Sequence, residues 1–294
     1  MASMRDIKRR KESIQSTEQI TKAMKLVSTV KVQKARQRVE AGKPYFDLMY
    51  KTVNEALSKA GTLKHPFLNE RESKKKGVIV ITSNRGLAGG YNNNVVKFVT
   101  ANGFTPENSI IYNLGRKGGE GLKRNGFDIT KDYSEVMEGA DYEDAMEIGA
   151  KVLEAYMADE IGEIYVVYTA FKNMVSHEPT MRKLLPIDTE HVSENVSGKD
   201  KTDENPEDKA VMEFDSDESE ILDVIVPQYV NSLIYGAIID CVASENAARM
   251  QAMDNATSNA DEMISDLSLK YNRARQSSIT QELTEIIAGA SAIG

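Results

Sequence analysis

Two stretches of the chain carry apolar residues at three- and four-residue intervals with almost no helix breakers. From Met4 to about Lys59 only Gly42 and Pro44 interrupt a run rich in Lys, Arg, Gln, Glu, Ala, Met and Val, which predicts one long helix, locally bent near Gly42-Lys43-Pro44. Pro227 is placed to open or kink a second one, and Gln228 to Ala288 contains no proline and only Gly236 as an interior glycine. Unbroken, these helices would reach roughly 80 and 90 Å at ~1.5 Å per residue. Helices of such length at opposite ends of one chain are expected to pair antiparallel. The expected seam follows Ile7, Arg10, Ile14, Thr17, Thr21, Met24 and Ser28 on the first, and Met263, Leu267, Lys270, Ala274, Ser277, Gln281, Thr284 and Ala288 on the second. A self-sufficient coiled coil wants Leu, Ile or Val at most such sites. Small and polar residues fill about half of them here, which suits a weak coiled coil or a shaft seated inside something else.

The middle of the chain has another rhythm. Gly77–Thr82, Ser109–Asn113 and Ile164–Thr169 are short apolar runs that read as buried strands, separated by helical stretches at Asn92–Thr100, Arg116–Arg124 and Asp141–Ala158. Alternation of this kind predicts a small parallel α/β sheet. Glu190 to Glu220 is acidic and nearly free of apolar residues, and reads as an insert or loop. The expected division is a shaft helix over 1–60, an α/β domain over 75–187, the acidic insert over 188–220 and a second shaft helix over 221–294.

Charge sharpens this division. The net charge of −8 hides +11 over residues 1–76, −4 over 77–185, −10 over 186–220 and −5 over 221–294. The basic and acidic arms attract each other, or each meets a partner of opposite sign. The overall sign argues against a general nucleic-acid or anionic-membrane binder. The single cysteine, Cys241, excludes an internal disulfide and a cysteine-based zinc cluster, and the three histidines are scattered. No run approaches the ~20 apolar residues of a membrane span, and no targeting segment is visible at the start.

Candidate chemistry is sparse. The loop Ser83–Asn92 lies between a strand and a helix, where α/β folds bind phosphates, but it lacks both G-x-G-x-x-G and the Gly-Lys-Ser/Thr of a P-loop. Gly115–Gly119 could also hold an anion; turn geometry and a plain helix start account equally for both. Asp141, Glu143, Asp144 and Glu147 suit a first helical turn. His177 reads as a loop histidine, and no catalytic, cofactor or metal set assembles. Arg5 to Lys11 is a basic helix face without the aromatics of a single-strand binder. The end, Ile286 to Ile293, is small and apolar where most termini are polar. It packs against the N-terminal helix or seats in a partner's apolar collar, and the second is the expectation. A nucleotide-dependent α/β enzyme with coiled-coil arms and a static coiled-coil adaptor are the competing function classes.

Three segments resemble a known family. Met1–Arg10 with Gln19–Ser28 is similar to the N-terminal helix of the γ subunits of F-type ATP synthases. Ser83-Asn84-Arg85-Gly86-Leu87-Ala88-Gly89-Gly90 resembles their Ser-Asp-Arg-Gly-Leu-Cys-Gly-Gly loop, with Asn84 and Ala88 as departures. Ala243–Met250 and Ile279–Ala290 match their C-terminal signature.

The resemblance implies a fold of α/β class: a long antiparallel coiled coil of N- and C-terminal helices plus a central Rossmann-like α/β domain. It implies a central rotor shaft that couples ion-driven rotation of the c-ring to conformational cycling of catalytic β subunits, with no catalytic residue, cofactor or metal of its own. The implied partners are a ring of three α and three β subunits, the ε subunit and the c-ring, with neither nucleic acid nor direct membrane insertion. Met24, Lys25, Arg275, Gln276, Thr280, Glu285, Ile286 and Ile287 would meet the α/β ring. Arg249 would serve helix pairing, and Phe214 with Asp215 would lie on the c-ring and ε side. Cys241 stands alone where chloroplast members carry a regulatory pair, which points to a bacterial protein on the cytoplasmic membrane face. The seam then acquires a physical sense, because a rotor must hold three orientations in wells of nearly equal, shallow depth.

Overall fold

The computed structural model describes residues 4–60, 65–69, 71–187 and 218–293. In chain order the elements are α1 (Met4–Ala60), β1 (Lys76–Ile81), α2 (Tyr91–Ala101), β2 (Ser109–Leu114), α3 (Arg116–Arg124), β3 (Ile129–Asp132), α4 (Tyr142–Met157), β4 (Glu163–Phe171), β5 (His177–Leu185) and α5 (Glu218–Ile293). The chain forms two compact units. One holds residues 31–248, the other 1–30 with 249–294, so the division falls inside both long helices.

The first unit is built on a five-stranded sheet in the order β3-β2-β1-β4-β5. β1 pairs parallel with β2 and β4, β2 parallel with β3, and β4 antiparallel with β5. Strand side chains alternate between faces, and β1 supplies both cores. Val78 and Val80 join Val95 and Val99 of α2 and Leu122 of α3. Ile79 and Ile81 join Ile148 and Val152 of α4, Val53 and Leu57 of α1, and Val226, Val230, Ile234 and Ile238 of α5. The sheet is therefore mixed, where the apolar runs alone predict a purely parallel one. β3 and β5 escape the sequence pattern because they are edges. β3 has four residues, and β5 carries Pro179 with Glu178 and Lys183, the proline and charges by which edge strands resist further pairing. His177 thus begins a strand and is not a loop residue.

Pro227 lies inside α5 rather than opening it, and Pro44 lies inside α1. Each proline removes one ladder bond; at Pro227 the neighbouring Val226 and Val230 are fully buried against the sheet, and that packing holds the helix through the defect. α5 contains a window long and apolar enough to cross a bilayer by length and composition, unlike the expectation from uninterrupted runs. Its residues Val226, Val230, Ile234 and Ile238 are instead core, at 0% exposure. α4 approaches α5 so closely that a Cβ on Gly149 would stand 1.9 Å from Asn231 Oδ1, so only glycine fits there.

In the second unit, Thr21 Oγ1 meets Thr257 Oγ1 at 2.8 Å and Lys25 Nζ meets Asp254 Oδ1 at 2.5 Å. Numbers rise on α1 as they fall on α5, so the ends of the chain pair antiparallel.

Candidate functional site

The seam of the terminal pair is rotated from the expected one. On α1 the buried and half-buried positions include Ile7, Lys11, Ile14, Glu18, Thr21, Met24, Lys25 and Ser28, while Arg10 and Thr17 face solvent. On α5 they include Met253, Thr257, Ala260, Ile264, Leu267, Tyr271, Ala274 and Ser278. Met263, Lys270 and Ser277 face outward, each displaced by the residue that follows it. The reason is burial: Ile264 and Tyr271 offer more apolar surface to the seam than Ser277 or Lys270, and Lys270 bonds Asp266 at 2.7 Å on the outer face. Polar residues remain central, since Thr21 and Ser28 are 8% and 2% exposed.

Extending the Thr21–Thr257 register sets Met4, the first described residue of α1, level with about Ala274. Beyond Ser278 the last fifteen described residues, Ile279–Ile293, have no described part of α1 beside them, and they extend about 22 Å at 1.5 Å per residue. The expected seam positions Gln281, Thr284 and Ala288 are exposed for this reason. So are Ile279, Leu283, Ile286 and Ile287, at 49, 54, 67 and 64%. Packing of the apolar tip against the N-terminal helix is therefore not what the described residues adopt. Side-chain hydrogen bonds there stay within the helix, as in Gln281 Nε2 to Glu285 Oε1 at 2.9 Å and Thr280 Oγ1 to the Gln276 carbonyl at 2.9 Å.

The residues singled out from the sequence fall at two levels. Met24 and Lys25 are half-buried near Asp254, with Lys25 ion-paired to it. Arg275, Gln276, Thr280, Glu285, Ile286 and Ile287 are exposed roughly 30 to 50 Å further along the helix axis. Arg249 is 8% exposed at the first position of α5 in this unit. Phe214 and Asp215 lie outside the described residues. Sequence reasoning missed a second apolar stripe: Ile20, Ala23, Val27 and Val30 recur at helical spacing on α1, away from the seam. Ile20, Val27 and Val30 are 57, 58 and 51% exposed, with Leu26 alongside at 63%. The signal was present as a second 3-4-3 periodicity, offset by one residue from Thr21 and Ser28.

The central loops spend their polar groups on themselves. Ser83 N donates to Asn92 Oδ1 at 3.0 Å and Ser83 Oγ to the Arg85 carbonyl at 2.7 Å. Arg116 N donates to Asn84 Oδ1 at 3.0 Å, so Asn84 occupies the start of α3. Gly115, at φ 107°, brings α3 so close that a Cβ would stand 2.3 Å from the Thr82 carbonyl oxygen, and Gly118 N donates to Thr82 Oγ1 at 3.0 Å. The amides of Ser83, Arg116, Lys117 and Gly118 are thus occupied, and close packing on Thr82 explains Gly115 and Gly118. Asp141 and Asp144 form a capping box at α4, with Asp141 N donating to Asp144 Oδ2 at 2.9 Å. Cys241 is buried, and burial pushes its thiol up to about 12, far from a reactive thiolate. Burial also lowers the His177 pKa. Among the described residues no group of three or more His, Cys, Asp or Glu side chains could hold a metal ion.

An antiparallel pair of chain termini with an apolar overhang, together with a mixed α/β unit, defines a shaft-type subunit that works through its surfaces. Comparison with known proteins fits that class. A family model described as ATP synthase matches residues 3–293. The ATP synthase gamma chain of Lachnoclostridium phytofermentans is 61% identical over 293 residues, with 100% of each chain covered. The sodium-ion-specific ATP synthase gamma chain of Acetobacterium woodii is 38% identical, with 99% of each chain covered. In fold, a chain of the Euglena gracilis mitochondrial ATP synthase aligns with a TM-score of 0.68 at 21% identity, over 99% of this chain and 94% of that one. The chain belongs to the ATP synthase gamma family, the central-stalk subunit of the F-type enzyme.

Proposed function

We propose that this chain is the rotating shaft that carries torque between an ion-driven c-ring and a catalytic ring of α and β subunits, without performing chemistry itself. The observation that carries the reading is the apolar overhang of α5, where four large apolar side chains stand about half to two-thirds exposed with no described part of the chain to cover them. A helix end of that kind is stable in water only at a cost, and a collar supplied by other subunits removes it. Ile286 and Ile287 would seat in that collar, with Arg275, Gln276, Thr280 and Glu285 meeting α and β as the shaft turns. Met24 and Lys25 would meet the ring at the lower level, beside the exposed stripe of Ile20, Val27 and Val30. Arg249 would fix helix pairing, and Phe214 with Asp215 would face the c-ring and ε. Polar contacts of this type are worth little each, on the order of 1 kcal/mol or less. Successive orientations therefore stay distinguishable without any one becoming a trap.

A non-catalytic role is supported by the engaged amides of Ser83, Arg116 and Gly118 and by a buried, protonated thiol. The proposed location is the cytoplasmic face of a bacterial membrane, held there by the c-ring and ε rather than by insertion of this chain. Affinity capture of the full chain from its own cells tests the whole reading. The expected result is co-purification of α, β and ε with ATP hydrolysis that belongs to the complex. Hydrolysis by the isolated chain, or capture without α and β, would overturn it.

A further inference from the structure

Within the α/β unit, a cavity of about 180 Å³ opens between α1, the sheet and α5. Phe46 and Tyr50 of α1, Tyr168 of β4 and Arg182 of β5 line it, facing Leu233 and Asp240 of α5. Its polar groups are unusual in what they leave undone. Arg182 Nη1 donates to the Tyr50 hydroxyl at 2.9 Å, which uses one of five guanidinium donors. The Asp240 carboxylate has no ion pair within 4.0 Å and no hydrogen bond among the described residues, although Arg182 lines the same cavity. Burial pushes its pKa up to about 6, with Arg182 opposing the shift from a distance. Neither charged group is sealed away from the cavity. A guanidinium and a carboxylate thus line one cavity without forming an ion pair with each other, among aromatic and aliphatic neighbours.

We infer that this cavity is a binding site for a small neutral α-amino acid with an apolar side chain, its carboxylate on Arg182, its ammonium on Asp240 and its side chain against Phe46 and Leu233. A carboxylate on the guanidinium is the favoured planar pairing, and an ammonium supplies the partial neutralisation that Asp240 lacks. Size limits the ligand: a void near 150 Å³ takes the six heavy atoms of benzene, so this one encloses about seven, and a nine-atom leucine leaves about two of its atoms in the open mouth. A water-filled cavity would satisfy the same two groups separately, but would show no preference for a molecule carrying both charges on an apolar body. The two-ended demand is what separates the readings. Because α1, the sheet and α5 each supply a wall, occupancy ties three elements of the unit together.

The experiment is ligand-observed NMR and calorimetry on the full chain with three probes: L-leucine, 4-methylpentanoate, which lacks the ammonium, and 3-methylbutylamine, which lacks the carboxylate. Leucine is expected to bind, each one-ended analogue at least tenfold more weakly, and saturating leucine to slow hydrogen exchange in 39–50 and 232–240. Asp240→Asn should cost leucine at least tenfold without weakening 4-methylpentanoate. No binding of leucine, equal binding of the three probes, or unaltered leucine affinity in a folded Asp240→Asn chain would each overturn the assignment. The comparison of probes on the unmodified chain stands even where a substitution prevents folding.

Discussion

The Thr21–Thr257 contact offers a sharp test of how the terminal helices are joined. Two hydroxyl protons serve three acceptors there: the partner hydroxyl at 2.8 Å, the Glu18 carbonyl at 3.0 Å from Thr21 and the Met253 carbonyl at 2.8 Å from Thr257. One proton bridges the helices while the other returns to its own helix. Thr21→Val removes the bridge but leaves the Thr257 hydroxyl bonded to Met253, so no buried donor is orphaned. The loss is that of one net hydrogen bond, about 1 kcal/mol. Thr257→Val costs the same for the same reason. In the double variant the bridge is lost only once, and two methyl groups replace the hydroxyls in a site where Thr21 is 8% exposed. Its cost is therefore expected at about 1 kcal/mol or below, giving a coupling energy near 1 kcal/mol. Native-state hydrogen exchange of amides in 18–28 and 250–260 reads this directly. Each single variant should exchange about fivefold faster than the unmodified chain, and the double variant no faster than either single. Neither hydroxyl points outward, so ATP hydrolysis by the reassembled complex should stay unchanged. A double variant about twenty-five-fold faster, the product of the singles, would show that the hydroxyls act independently and that no bridge joins the helices.

Three further outcomes follow from the same coordinates. In Asp240 the folded-state pKa is about 6 against 3.8 for an unperturbed carboxyl, so the folded chain holds the extra proton and stability falls as pH rises from about 4 to 6. Asp240→Asn should abolish that slope and, allowing for the partial exposure of the group, stabilise the unit by about 2 kcal/mol at pH 7; urea midpoints across pH 4–8 check it. Gly149→Ala should lower the thermal midpoint by the equivalent of about 1–3 kcal/mol, because its Cβ would meet Asn231 Oδ1 at 1.9 Å, and Asn231→Ala in the same chain should recover most of the loss. Ile286→Ser with Ile287→Ser should leave the free chain's melting temperature unchanged, since both residues are already about two-thirds exposed, while weakening assembly with the α and β subunits by about 2–4 kcal/mol in a binding titration.

Much of the architecture is readable from residue order because the physics behind it is local. The absence of Gly and Pro from two long stretches dictates helices whatever surrounds them, and β1, β2 and β4 are buried on both faces, so each writes itself as an unbroken apolar run. The edges are different. β5 is held by β4 through backbone bonds, so its side chains keep no strict period, and His177–Leu185 looks like a loop until its partner strand is present. Pro227 misleads for a related reason. Its local signal says a helix begins, whereas the sheet packing of Val226 and Val230 carries the helix through it.

The partner surfaces follow the same logic one level up. Which of two adjacent residues faces a seam depends on the partner helix, so Met263 and Lys270 could not be told from Ile264 and Tyr271 by spacing alone. The apolar tip could be told, because Ile286-Ile287-Ala288-Gly289-Ala290 is a poor sequence for a helix end left bare in water. The stripe of Ile20, Val27 and Val30 carries the same message from the flank of the pair. A helix already spending one face on a seam has no folding reason to keep a second apolar face, so under the proposed function these residues are a further surface for another subunit to cover.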